Sequence, residues 1–159
     1  MDIGGVVIQR TGDADEDDTS FWGPNYLETP AVEDAIATIA ALVRDRFGDA
    51  VYLVSKCGEE TEERSRGWLS HNRFFERTGM SPSHVYFCRK RVEKAPICTR
   101  LGVTHFVDDR LEVLSYLDAV PHRYLFQGRD EEVAEFSAFL KLVQRVESWK
   151  AIPAALLDA

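Results

Sequence analysis

Apolar positions along the chain follow two alternating patterns. Continuous apolar runs of strand length occur at residues 3–8, 51–54, 85–88, 104–107 and 123–126. Between them, apolar residues recur at helical spacing. Val32, Ile36, Ile39, Ala40, Val43 and Phe47 share one face of a predicted helix, with Thr29 as N-cap, Pro30 at the first helical position and Gly48 as the stop. A weaker helix is expected over 60–77, with Trp68, Leu69 and Phe75 inward, and two short ones after Lys94 and Asp109. A final stripe joins Val133, Phe136, Phe139, Leu140 and Val143. Strands that are apolar throughout must be covered on both faces, and their alternation with helices implies parallel pairing. The fold class is therefore α/β: a three-layer, Rossmann-like parallel sheet of about five strands with helices on both faces.

The 159 residues suffice for one such domain and for little else. No internal repeat interrupts it. One segment stands apart: residues 11–20 contain Asp13, Asp15, Glu16, Asp17 and Asp18. So much like charge cannot be buried, so the segment reads as a solvated loop. Residues 9–29 thus form a flexible acidic insertion, and residues 130–159 a C-terminal helix and tail of the same domain.

Composition narrows the function. Apolar residues make up 45% and charged residues 29%, an ordinary globular mixture. A formal net charge of −8 argues against nucleic acid or an anionic membrane as partner, although a bound metal reverses the field locally. Cys57, Cys88 and Cys98 form no CxxC pair, and their number is odd, which suits a reducing cytoplasm better than a disulfide framework. No apolar run is long enough to span a bilayer, and the start Met1-Asp2-Ile3-Gly4-Gly5 does not resemble a signal peptide.

In open parallel sheets the ligand site lies beyond the carboxyl ends of the strands. Asp2 stands in the first predicted strand region, Ser55 and Lys56 follow the second, and Asp108-Asp109 close the fourth. After the third, the basic run Arg89-Lys90-Arg91 leads to Lys94 at the start of a helix. The set suits phosphoryl transfer. A carboxylate can accept the phosphoryl group as an aspartyl-phosphate. Magnesium takes oxygen ligands from one or two carboxylates and from the phosphate. A lysine and a serine hydroxyl can hold the remaining phosphate oxygens.

The order Asp, Ser, Lys, Asp-Asp resembles the haloacid dehalogenase superfamily in four motifs: Asp2-Ile3-Gly4-Gly5-Val6, the Ser55 closing Tyr52-Leu53-Val54-Ser55, Glu93-Lys94-Ala95-Pro96, and His105-Phe106-Val107-Asp108-Asp109. The resemblance implies Asp2 as nucleophile and metal ligand, the Gly4 carbonyl as a second ligand, and Asp108 and Asp109 completing a Mg²⁺ site. It implies Ser55 and Lys94 as phosphoryl-binding groups, with Lys56 beside them. The implied activity is hydrolysis of a small phosphomonoester, such as a nucleotide or sugar phosphate.

Two features depart from the superfamily pattern. Gly4 stands where many of its phosphatases carry a second Asp as general acid and base, an effect of roughly 10²–10⁴-fold. A carboxylate from the Asp13–Asp18 loop is the expected substitute. The chain also begins one residue before Asp2, without the apolar residues that usually open the first strand, so either the native start is expected upstream or residues 3–8 are expected to form a shortened strand. With no large cap domain, the open site would be closed by a loop or by a second subunit of a homodimer, and Phe21, Trp22 and Tyr26 would form an aromatic lid over the substrate.

Plain readings compete. Asp108 or Asp109 can cap a helix, Ser55 can cap a strand end, and Arg89, Lys90 and Arg91 rival Lys94. The scattered His71, His84, His105 and His122 read as structural or surface residues, and the cysteines as small buried apolar ones. A different class of function is a catalytically silent domain that keeps the metal or phosphate pocket for a ligand or protein partner. A phospho-accepting receiver fits less well, because its acidic pair would open the series rather than close it. A dehalogenase fits less well because Asp108-Asp109 suits a metal.

Overall fold

The computed structural model describes residues 1–10 and 23–157. The acidic residues 13–18, Phe21 and Trp22 lie outside the described residues.

Two parallel sheets carry the fold. One pairs β1 (Leu53–Lys56) with β2 (Val85–Cys88), and the other runs β3 (His105–Asp108), β4 (His122–Phe126) and β5 (Gln144–Val146). Met1 and Asp2 join them. The Met1 nitrogen donates to the Tyr52 carbonyl at 2.9 Å, and Val54 N–H donates back to the Met1 carbonyl at 2.9 Å. On the other side Asp2 N–H donates to the Val107 carbonyl at 3.0 Å. Two residues thus stand as a short strand between β1 and β3 and place Asp2 centrally.

Alternation along the strands divides the core in two. Leu53, Val107, Tyr124 and Phe126 face a cluster with Ile36, Ile39, Trp68, Leu69, Phe74, Trp149 and Ile152. Val54, Phe106 and Leu125 face another with Cys98, Leu111, Leu114 and Val133. Helices α1 (Ala35–Leu42), α2 (Glu59–His71), α3 (Phe74–Thr78) and α7 (Ile152–Leu157) therefore cover one face. Helices α4 (Lys94–Arg100), α5 (Leu111–Tyr116) and α6 (Asp130–Glu135) cover the other. This is the three-layer α/β arrangement that the hydrophobic pattern requires.

Several elements differ from expectation. Residues 3–8 do not form a strand. The chain turns at Gly5 (φ 75°), and the amides of Val6, Val7 and Ile8 all point at the Ile3 carbonyl. Only isolated bridges, Gly4 to Ile8 and Ile8 to Ala31, remain. The run is apolar because it is buried: Val6, Val7 and Ile8 are fully covered, and Trp149 Nε1 donates to the Val6 carbonyl at 2.7 Å. The first helix starts at Ala35, because Pro30 and Ala31 are extended along Gln9 and Ile8; it passes into a π turn over Val43–Phe47 and stops at Gly48 as expected. The weaker helix is broken into α2 and α3 at Arg73, whose φ of 52° no continuous helix tolerates. The last stripe packs on the core through Val133, Phe136, Leu140 and Val143, but its helix ends at Glu135. A 3₁₀ segment over Ser137–Leu142 follows α6, with Phe139 and Leu142 exposed.

The aromatic Tyr26 is taken up by packing. It lies against Gly67 of α2, Arg64 sits over its ring, and it belongs to the core on that face. At the amino ends of β1 and β3, beneath Met1, the two sheets part around an apolar cavity of about 120 Å³, lined by Phe47, Val51, Tyr52, Phe106 and Tyr124 among others. No helix among the described residues is long and apolar enough to cross a membrane.

Candidate active site

Three carboxylates meet at the opposite, carboxyl end of the sheets. Asp2 arrives on the short central segment, Asp108 is the last residue of β3, and Asp109 follows it. One oxygen of each lies within 4.8 Å of the other two. Strand pairing alone brings Asp2 beside Asp108, because Asp2 N–H bonds the Val107 carbonyl.

Lys94 enters from the first turn of α4. Its Nζ donates to Asp108 Oδ2 at 2.8 Å and lies 3.0 Å from Asp2 Oδ1. The ammonium is almost wholly buried. Burial alone would lower its pKa, but the charges of Asp108 and Asp2 outweigh that, and the pKa is raised. Lys94 is therefore a permanent cation between two carboxylates. The other basic residues after β2 are engaged elsewhere. Arg89 bonds the Cys57 carbonyl (2.9 Å) and Glu62 (2.7 Å), Arg91 bonds Glu112 (2.9 Å), and Lys90 is exposed.

Lys94 and Arg10 do not balance three converging carboxylates, of which Asp108 and Asp109 are buried and Asp2 is partly exposed. Burial raises the pKa of Asp108, opposed by Lys94 and by Arg110 N–H, which donates to Asp108 Oδ1 at 3.0 Å. Asp109 is pushed up to about 8, first by burial and then by Asp108 and Asp2, against the pull of Arg10. Its Oδ1 is buried with no hydrogen-bond partner. A helix-capping role does not account for this pair, since Glu132 takes the first amides of α5, accepting from Leu111 N–H at 3.1 Å and Glu112 N–H at 2.7 Å. Converging oxygens, an excess of negative charge and an orphaned carboxylate oxygen fit a divalent cation.

Ser55 is buried near the end of β1, one residue beyond the Val54 that pairs with Met1. Lys56 follows it, half-buried. Gly4 sits two residues after Asp2, and a Cβ there would meet nothing within 4 Å. Gly5 is the reverse case. A Cβ would lie 2.5 Å from Asp109 Oδ2 and 2.7 Å from Arg10 Nε, so only glycine lets the turn pass so close.

Arg10 is the residue that sequence reading missed. Its Nη2 pairs with Asp109 Oδ2, while its Nη1 is buried without a partner. A lone arginine ahead of an acidic loop looks solvated; the only signal was the glycine that makes room for it. Histidines contribute nothing here. His105 and His122 stack on each other with ring centroids 4.5 Å apart at the amino ends of β3 and β4, and His84 directly precedes β2. All three cysteines are free thiols and buried.

No family model matches the chain, and no curated protein matches it. Among solved structures, it is similar to D,D-heptose 1,7-bisphosphate phosphatase from B. bronchiseptica, crystallised with magnesium and phosphate. The TM-score is 0.69 over 99% of this chain and 96% of that one, at 18% sequence identity. At that identity the likeness establishes the fold alone, an α/β arrangement of parallel strands between two layers of helices.

Proposed function

We propose that this protein is a magnesium-dependent phosphohydrolase acting on a small phosphate ester through an aspartyl-phosphate at Asp2. The observation that carries the reading is the convergence of Asp2, Asp108 and Asp109 around an orphaned carboxylate oxygen, with Lys94 as their one buried lysine. Asp2, Asp108, Asp109 and the Gly4 carbonyl would hold Mg²⁺, which supplies charge neutralisation for the phosphoryl oxygens. Asp2 attacks phosphorus with one carboxylate oxygen. Lys94 orients that carboxylate, and it offsets charge on the phosphoryl group. Ser55 donates a hydrogen bond to a phosphoryl oxygen, and Lys56 adds charge beside it. The magnesium and phosphate held by the similar phosphatase support the same ligands here.

A second reading is a domain that binds metal and phosphate without turning it over. Gly4 favours it, because no side chain there can give the leaving group a proton.

Phosphate release from a panel of phosphomonoesters, with and without Mg²⁺, separates the two. The phosphohydrolase reading expects Mg²⁺-dependent release that Asp2→Asn reduces by at least about 10³-fold. A folded protein that binds Mg²⁺ and releases no phosphate from any member supports the binding domain instead.

A further inference from the structure

With Asp109 ionised as a Mg²⁺ ligand, the described residues at the site include no ready proton donor. Asp108 is held by Lys94 and Arg110 N–H, and Lys94 lies between Asp108 and Asp2. Three of the four histidines stand at the amino ends of strands, and His71 ends α2. Beside the nucleophile, the position of Gly4 is open space. One residue further along the turn, at Gly5, stands Arg10, whose guanidinium packs on that glycine, binds Asp109 through Nη2 and keeps a buried, unpartnered Nη1. A guanidinium donates hydrogen bonds and positive charge but does not give up its proton.

We propose that Arg10 stabilises the departing oxygen of the substrate as an anion, and that the substrates are phosphates whose leaving group is weakly basic: aryl or enol phosphomonoesters and acyl phosphates. This rests on the phosphohydrolase reading. An Asp2 carboxylate oxygen bonds to phosphorus as the bond from phosphorus to the leaving oxygen breaks. The electron pair stays on that oxygen, which leaves unprotonated against Arg10 Nη1 and takes a proton from water after release. An alkyl alkoxide, far more basic, would leave slowly from such a site.

The test is kcat/KM across aryl phosphates of graded phenol acidity, with an alkyl phosphate and an acyl phosphate at the extremes. The unaltered chain should lose rate steadily as the leaving group becomes more basic. Arg10→Ala, assayed at saturating Mg²⁺, should lower kcat/KM by about 10²–10³-fold on the more basic phenols and far less on the most acidic. Gly4→Asp has the space to supply the missing acid and should raise the slowest substrates by about 10²-fold, flattening the dependence. A flat dependence in the unaltered chain would overturn the inference alone and point to a donor such as an acid of residues 13–18. A uniform Arg10→Ala loss across the series would also overturn it. No turnover of any member would overturn it together with the phosphohydrolase reading.

Discussion

The two ends of the sheets are built from the same strands under opposite rules. At the amino ends, Val51, Tyr52, His105, Phe106 and Tyr124 surround an apolar cavity, and the rings of His105 and His122 stack. At the carboxyl ends, the buried Asp108, Asp109 and Lys94 converge with the partly exposed Asp2 within a few ångströms. β3 spans both, from His105 to Asp108. Packing explains the first end. It does not explain the second, where an orphaned carboxylate oxygen and a carboxyl pKa of about 8 lower stability with no gain in packing. Unbalanced charge collected at one end of the domain indicates a ligand that supplies the missing cation.

The largest effect should come from removing the cation that bridges Asp2 and Asp108. Lys94→Met leaves the buried Asp108 without a counter-charge, and it is expected to cost about 3–5 kcal/mol in urea unfolding. A loss below about 1 kcal/mol would mean that the carboxylates are better solvated than their burial implies.

Gly5→Ala comes next. The φ of 75° and the 2.5 Å approach to Asp109 Oδ2 predict a cost of about 1–3 kcal/mol and a weaker Mg²⁺ site, measured by thermal unfolding and calorimetry.

The pH dependence of the charged end has a definite sign. The folded pKa of Asp109, about 8, lies above the ordinary 3.8. The native state therefore holds a proton that the unfolded chain has lost, and this contribution to metal-free stability falls as pH rises toward 8. Mg²⁺ needs the ionised carboxylate, so its binding releases a proton, and its affinity should rise with pH up to about 8. Calorimetry in buffers of different ionisation enthalpy reads that proton directly.

The smallest effect belongs to the packed end. Tyr124 buries its hydroxyl without a partner beside the apolar cavity. Tyr124→Phe removes that cost and should stabilise the protein by about 1 kcal/mol, leaving Mg²⁺ affinity unchanged.

Sequence patterns reached these two ends unequally. The strand over 85–88 matches in full, and the strands near 53, 105 and 122 lie within two residues of expectation, because buried parallel strands leave continuous apolar runs. β5 was not legible: its three residues are exposed, exposed and buried, which makes no run. The 3–8 segment misled for the converse reason, since an apolar run reports burial and not extension. Asp2, Lys94, Asp108 and Asp109 were legible because strand ends and a helix start fix their place. Arg10 was not, because its position depends on the turn at Gly5, which has no periodicity.

The most direct test of the central claim is calorimetric titration of the metal-free protein with Mg²⁺, beside Asp109→Asn. The account predicts a single site in the unaltered protein, with proton release near neutral pH, and at least about tenfold weaker binding in Asp109→Asn. No binding by the folded, unaltered protein, or equal binding by both, would contradict it.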